Sequence, residues 1–196
     1  MPRIDEILES LNGSKWFFTF DLASGFWQIE MDQKDREKTA FVIKGGHYEF
    51  NVMPFRLCNA PATFQKTMNK VLKEYIDRFV AVFIDDIIVY SNSFEEHCGH
   101  LQMLFDKLET ANLALNKEKC EMFKRELRFL GHKINKHGIQ PDPQKIEKVQ
   151  NFPIPKNVRQ IKGFLGLASY YRKFIKDFSK IAKLLNNLTK KGVDYN

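Results

Sequence analysis

The chain has 196 residues, 43% of them apolar and 28% charged, which is ordinary for a soluble globular protein with one good core or two small ones. Its apolar runs fall far short of the roughly 20 residues a membrane helix needs, and the charged opening Pro2-Arg3-Ile4-Asp5-Glu6 is not a signal peptide. The net charge of +7 is unevenly spread: residues 1–100 carry 11 Lys/Arg against 15 Asp/Glu, residues 101–196 carry 20 against 9. Such a split suits a metal on one side and a polyanion on the other, or simply Lys-rich soluble helices. Cys58, Cys98 and Cys120 are widely spaced and form no CxxC pair, which argues against a disulfide framework or a zinc site and fits a reducing, intracellular setting.

Residues 2–12 read as an amphipathic helix, with Ile4, Ile7, Leu8 and Leu11 on one face and Gly13 as the stop. Lys15–Phe20 reads as an aromatic strand that runs into Asp21, followed by the small residues Ala23, Ser24 and Gly25. Thr39–Ile43 and His47–Val52 flank Lys44-Gly45-Gly46 as a hairpin. A helix is expected from Asn59-Ala60-Pro61 to about Tyr75, with Phe64, Met68, Val71 and Leu72 on one stripe. Ala81–Tyr90 then holds Asp85-Asp86 between two apolar runs, as the turn of a second hairpin. Two adjacent carboxylates repel, and a cation would resolve the conflict; a merely solvated turn is the alternative.

Ser93-Phe94-Glu95-Glu96 is a capping box for a helix that points Leu101, Leu104, Phe105 and Leu108 inward and carries His97 and His100 on its surface. Arg128–Ile134 reads as a strand, and Gly138 with Pro141-Asp142-Pro143 as a boundary. Three helices follow, at about 143–152, 158–174 and 178–188, the first two joined by Phe152-Pro153-Ile154-Pro155. The loops are too short for a doubly wound parallel sheet. The pattern predicts an α+β fold: an antiparallel sheet backed by helices, then a basic helical module.

Asp21, Asp85 and Asp86 all end apolar strands, and only the fold can unite positions 64 apart. Hard oxygen donors with no His or Cys nearby suit magnesium rather than zinc. Two such ions about 4 Å apart serve in-line attack at phosphorus.

The segments Phe20–Ile29, Lys38-Thr39-Ala40-Phe41, Met53-Pro54-Phe55, Asn59–Gln65, Phe83-Ile84-Asp85-Asp86, Phe129-Leu130-Gly131-His132 and Phe164–Leu167 with Tyr170–Phe174 resemble, in order and spacing, the reverse transcriptase of gypsy-type LTR retrotransposons. The resemblance runs from residue 2 to about 189 and implies an RNA-directed DNA polymerase: palm at 1–28 and 59–136, part of the fingers at 29–58, and a helical thumb with the start of the connection at 137–196. It implies metal binding by Asp21, Asp85 and Asp86, which are also the catalytic carboxylates, with two Mg2+ ions (or Mn2+), and Lys119 as the proton donor to pyrophosphate. Leu22, Ala23, Phe26, Phe55 and Arg56 would form the deoxynucleoside triphosphate site, Phe26 excluding a ribose 2′-hydroxyl. Phe83, Leu130, Gly131 and His132 would hold primer and template. Partners would be an RNA or DNA template with primer, the nucleotide, and the RNase H and integrase parts of a pol polyprotein; no membrane is involved. The parent element would work inside the cell, in a cytoplasmic virus-like particle.

Two departures stand out. The basic fingers segment that precedes the palm in this family is missing ahead of Met1, so a fragment or a truncated copy is expected. Arg56 stands where the family usually has Gly, and Gly permits backbone geometry that Arg does not. Phe83 in place of Tyr is a common variation in this group. The alternatives are an inactive remnant that only binds nucleic acid, and a two-metal nuclease, against which the motif order argues.

Overall fold

Helix α1 (Ile4–Leu11) forms because Ile7, Leu8 and Leu11 share one stripe, and Asp5 and Glu6 place negative charge in its first turn. It packs against β4 (Val80–Phe83), one of four strands in a sheet ordered β4-β5-β1-β6, with β1 at Trp16–Asp21, β5 at Asp86–Ser91 and β6 at Glu121–Lys124. Both neighbours of β1 are antiparallel to it. This computed structural model describes residues 2–190 and 192–193. Phe18, Phe20, Val80, Val82, Ile87 and Val89 alternate onto one face of the sheet and join a single buried cluster. Removing a Phe, Met or Leu of this size from water stabilises the fold by about 1.5–3 kcal/mol each.

Two helices back that face. In α3 (Ala60–Val71), Pro61 opens the first turn and Phe64, Gln65 and Met68 are buried. The helix stops at Val71 rather than Tyr75, whose N–H closes a turn onto the Leu72 carbonyl. In α4 (Phe94–Thr110) the capping box forms: the Glu96 N–H donates to Ser93 Oγ (3.1 Å), while the Glu96 carboxylate accepts from the Asn92 N–H (3.0 Å), one residue earlier than the usual partner. Leu101, Leu104 and Leu108 point inward, but Phe105 is 40% exposed and lies edge-on against Phe18 and Phe20.

His97 is not on the surface, and His100 is only partly exposed. His97 is fully buried, with Nδ1 2.9 Å from Ser91 Oγ; His100 stacks on Phe79 and reaches the same Oγ with its own Nδ1 at 2.9 Å. One hydroxyl proton can serve only one of them, so the other ring must donate from Nδ1. Burial, then the neighbouring His100, pulls the His97 pKa down to about 4.

Before α3, a short helix α2 (Gln33–Arg36) leads to a hairpin of β2 (Phe41–Ile43) and β3 (Gly46–Tyr48) around Lys44-Gly45. Both strands are shorter than the alternation suggests. The expected single strand at 128–134 is two strands, β7 (Glu126–Phe129) and β8 (His132–Asn135), turning on Leu130-Gly131. The boundary at Gly138 is itself a strand, β9 (Gly138–Pro141), and the three form a sheet in the order β7-β8-β9.

Helices α5 (Pro143–Gln150), α6 (Val158–Tyr170) and α7 (Phe178–Asn187) follow, with a short 3-10 turn at Arg172–Phe174. Asp142 and Asn157 cap α5 and α6 by accepting the N–H groups of Gln144 and Gln160, both at 3.0 Å. The chain forms two compact units, Met1–Leu127 with Asn135–Gly138, and Arg128–Ile134 with Ile139–Asn196. Among the described residues no helix is long and apolar enough to cross a membrane.

Candidate active site

Strand pairing brings the acidic residues together. In the register of β1 on β5, Asp21 lies directly opposite Asp86, and Phe83 opposite Asp86 across β4 and β5. The turn residues are therefore Ile84 and Asp85, one position earlier than the sequence suggests, with Asp86 opening β5. Directly opposed cross-strand residues are about 4.5–5.5 Å apart at Cβ, and like charges there repel. Partial burial, then Asp21, raises the Asp85 carboxyl above its ordinary value, with Lys119 working the other way. Burial, then Asp85 and Asp21, raises Asp86 likewise. Each is a carboxyl whose negative charge is poorly compensated.

Lys119 is the cation at hand. Its Nζ lies 3.5 Å from Asp21 Oδ2, and its side chain is 64% exposed. The turn that carries it is tied to β1, because the Asn116 N–H donates to the Asp21 carbonyl (2.9 Å) and the Asn116 carbonyl accepts from the Lys119 N–H (3.2 Å).

The turn at Ile84 is braced from α3 by a residue that the sequence reading did not single out for the site. Gln65, 3% exposed, accepts the Ile84 N–H at 2.7 Å and donates to the Val82 carbonyl at 3.1 Å and to Asn69 Oδ1 at 2.9 Å. Ile84 has φ 54, left-handed for a β-branched residue, a conformation that costs about 1–3 kcal/mol and needs such support. The available signal was a Gln beside Phe64 on the buried stripe of a helix.

Leu22 is buried and bridges to Leu115; Ala23 donates its N–H to the Ala114 carbonyl at 3.0 Å. Gln28 locks both, donating to the Ala23 and Ala114 carbonyls (2.7 and 3.0 Å) and accepting the Ala114 N–H (2.7 Å). Phe26 is buried between Phe64 and Phe55, with ring centroids at 5.2 and 5.4 Å. Gly25 permits this packing, since a Cβ there would sit 3.0 Å from the Phe64 ring. Phe55 is 51% exposed, and the next residue, Arg56, has φ 71. Leu130, Gly131 and His132 lie in the second unit.

Among the described residues, no three Asp, Glu, His or Cys side chains already converge tightly enough to cage a metal ion. A divalent cation would be compatible with the donor set of Asp21, Asp85 and Asp86, hard oxygens whose charges repel each other.

Residues 1–134 match the family described as reverse transcriptase (RNA-dependent DNA polymerase). The chain is 48% identical over 191 residues to the retrovirus-related Pol polyprotein from transposon 297 of Drosophila melanogaster, covering 97% of this chain and 18% of that protein. It is 42% identical over 190 residues to the polyprotein from transposon gypsy of the same organism, again covering 97% and 18%. Its fold is similar to the foamy viral protease-reverse transcriptase solved in complex with dsDNA, with TM-score 0.86 and 28% identity over 100% of this chain and 42% of that one. The same viral protein in complex with RNA/DNA hybrid gives TM-score 0.80 and 28% identity over 99% and 27%. The opposed aspartates, the braced turn and these likenesses agree: the chain belongs to the reverse transcriptase family of RNA-dependent DNA polymerases.

Proposed function

We propose that this chain is the palm, remaining fingers and thumb of an RNA-directed DNA polymerase, at 1–28 with 59–136, at 29–58 and at 137–196. The supporting observation is Asp21 facing Asp86 across paired strands, with Asp85 in the adjoining turn. Asp21 and Asp85 would hold two divalent ions, Mg2+ in the first place, with Asp86 beside them. These ions, when bound, lower the pKa of the attacking hydroxyl and steady the leaving oxygen. The primer 3′-hydroxyl gives up its proton to solvent water, and its oxygen bonds to the α-phosphorus of a deoxynucleoside triphosphate as the bond to pyrophosphate breaks.

Lys119, kept near Asp21 by an ion pair, supplies a proton to the departing pyrophosphate. Leu22 and Ala23 shape the floor of the nucleotide site. Phe26, fixed by Phe64 and Phe55, leaves no volume for a 2′-hydroxyl. Arg56 offers its cation to the triphosphate. Phe83, Leu130, Gly131 and His132 hold the primer and template. Base choice comes from template pairing, so the protein reads duplex shape. The parent element would be an intracellular one whose polyprotein also carries RNase H and integrase.

One observation favours a chain that binds without chemistry: Arg56 takes a backbone conformation suited to Gly. Primer extension on an RNA template separates the two. Extension that Asp85→Asn abolishes while hybrid binding persists supports the polymerase; extension undiminished by that change defeats it.

A further inference from the structure

Two adjacent tyrosines at the end of α6 close on the Leu130-Gly131 turn. Tyr170 Oη donates to the Leu130 carbonyl at 2.7 Å, and Tyr171 Oη to the Gly131 carbonyl at 3.3 Å. Each carbonyl has a second donor. His132 Nδ1 lies 2.9 Å from the Leu130 oxygen, which can only accept, so that nitrogen carries the proton. The Asp142 N–H reaches the Gly131 oxygen at 3.0 Å. A carbonyl has two lone pairs, so four donors fill the acceptor capacity of the turn.

Neither the Leu130 nor the Gly131 N–H has a partner among the described residues. The turn therefore offers donors alone to whatever approaches it. The tyrosine rings hold the arrangement from the side: His132 packs against Tyr170, Tyr171 and Phe174 with centroids 5.3–5.8 Å apart. Gly131 leaves room for it, since a Cβ would stand 2.7 Å from Tyr171 Oη.

We propose that Tyr170 and Tyr171 are positioning residues: their hydroxyls occupy the turn carbonyls and so aim the two free N–H groups at a phosphodiester of the primer strand. This rests on the reading of the hairpin as primer-binding. The tyrosines do not touch the reacting atoms. They set the orientation and polarity of the turn and make it travel with α6.

The test pairs a protein change with a ligand change. The chain and its Tyr170→Phe/Tyr171→Phe variant, which keeps both rings, are titrated with RNA/DNA hybrids by fluorescence anisotropy. The primer carries a neutral methylphosphonate at each of its last three linkages in turn. At one linkage the neutral group should weaken binding to the native chain about fivefold, and binding to the double variant by less than about twofold. If the double variant does not fold, Tyr170→Phe alone carries the same comparison. Equal losses for both proteins overturn the proposal and leave the tyrosines as packing. If the native chain binds all hybrids alike, the proposal falls by itself. If it binds none, the polymerase reading falls and takes the proposal with it.

Discussion

Two hairpins of this chain turn on two residues, and each begins with an aliphatic residue at positive φ, Ile84 at 54 and Leu130 at 46. Their chemistry is opposite. The Ile84-Asp85 turn gathers acceptors, with Asp85 and Asp86 raised in pKa by burial and by neighbouring carboxylates. The Leu130-Gly131 turn has its acceptors filled by the protein and presents N–H groups. One turn holds carboxylate repulsion that Lys119 offsets only in part; the other has its carbonyls filled by the protein and two N–H groups left free among the described residues. Charge stored at the first turn costs stability in the free chain, and binding of cations recovers it.

The largest effect expected follows from that cost. Asp85→Asn should lower nucleotide addition by about 10³-fold or more, the scale of losing a principal electrostatic group, yet melt above the native chain at pH 7. The sign follows from the raised pKa: the ionised carboxyl is disfavoured in the fold, so stability is lost as pH rises through the folded value and is retained below the ordinary value of 3.8. The gap between the two melting curves should therefore close as pH falls toward 3.8. Protonation of His97, near pH 4, affects both proteins alike and cancels in the difference. Magnesium should raise the melting point of the native chain more than that of the variant. A variant that melts lower at pH 7 would show that the turn is not under charge strain.

The second test removes the brace. Gln65→Leu leaves the Ile84 N–H and the Val82 carbonyl without their partner and cannot hold a left-handed Ile. A loss of about 2–6 kcal/mol in urea unfolding is expected, at about 1–3 kcal/mol for each of the two orphaned groups. Single-turnover extension should slow about 10- to 100-fold, because a shift of about 1 Å at a catalytic group has that cost. Lost stability with unchanged turnover would reduce Gln65 to a core residue.

Much of this arrangement was legible in the letters. An aromatic strand ending in Asp21, the apolar runs around Asp85-Asp86 and the capping box at Ser93 each report a local preference that the fold obeys. The sequence pattern sets this turn at Asp85-Asp86, one residue late, because Ile is a poor turn former and nothing nearby announces Ile84. The register comes from Phe83 opposite Asp86, and the support from a glutamine 19 residues away. His97 followed the helical period to the surface, but its partner Ser91 belongs to the preceding strand. Strand β6 is Glu-Met-Phe-Lys, exposed along the sheet edge, with no alternation to mark it. The saturation of the Leu130-Gly131 turn depends on hydroxyls 40 positions downstream, beyond any local pattern.

The satisfied turn can be broken more gently. Gly131→Ala adds a methyl at φ 72 and 2.7 Å from Tyr171 Oη, so the tyrosine must withdraw and the Gly131 carbonyl lose a donor. A cost of about 1–3 kcal/mol is expected from the left-handed strain and the displaced contact together. The effect should appear in the unfolding of the native fold and in loss of discrimination between native and neutral primer linkages. At Ile84 the same kind of strain is already present and braced, so the contrast isolates what the tyrosines add.

The smallest effect concerns a third left-handed position, Arg56 at φ 71, exposed and without a hydrogen bond or ion pair among the described residues. Arg56→Gly removes a strain of about 1–2 kcal/mol but gives the unfolded chain more freedom, worth about 0.5–1 kcal/mol in the other direction. The net gain should lie between about 0 and 1.5 kcal/mol in urea unfolding. If the guanidinium meets the triphosphate, the variant should show a KM for nucleotide raised about threefold with kcat unchanged, the mark of lost uniform binding. A kcat above that of the native chain would instead make Arg56 a lesion beside the Phe26–Phe55 pair, because relieving it would let the nucleotide site close as a glycine at this turn allows. Stability alone cannot separate these outcomes, since both predict the same small gain; the split between KM and kcat does.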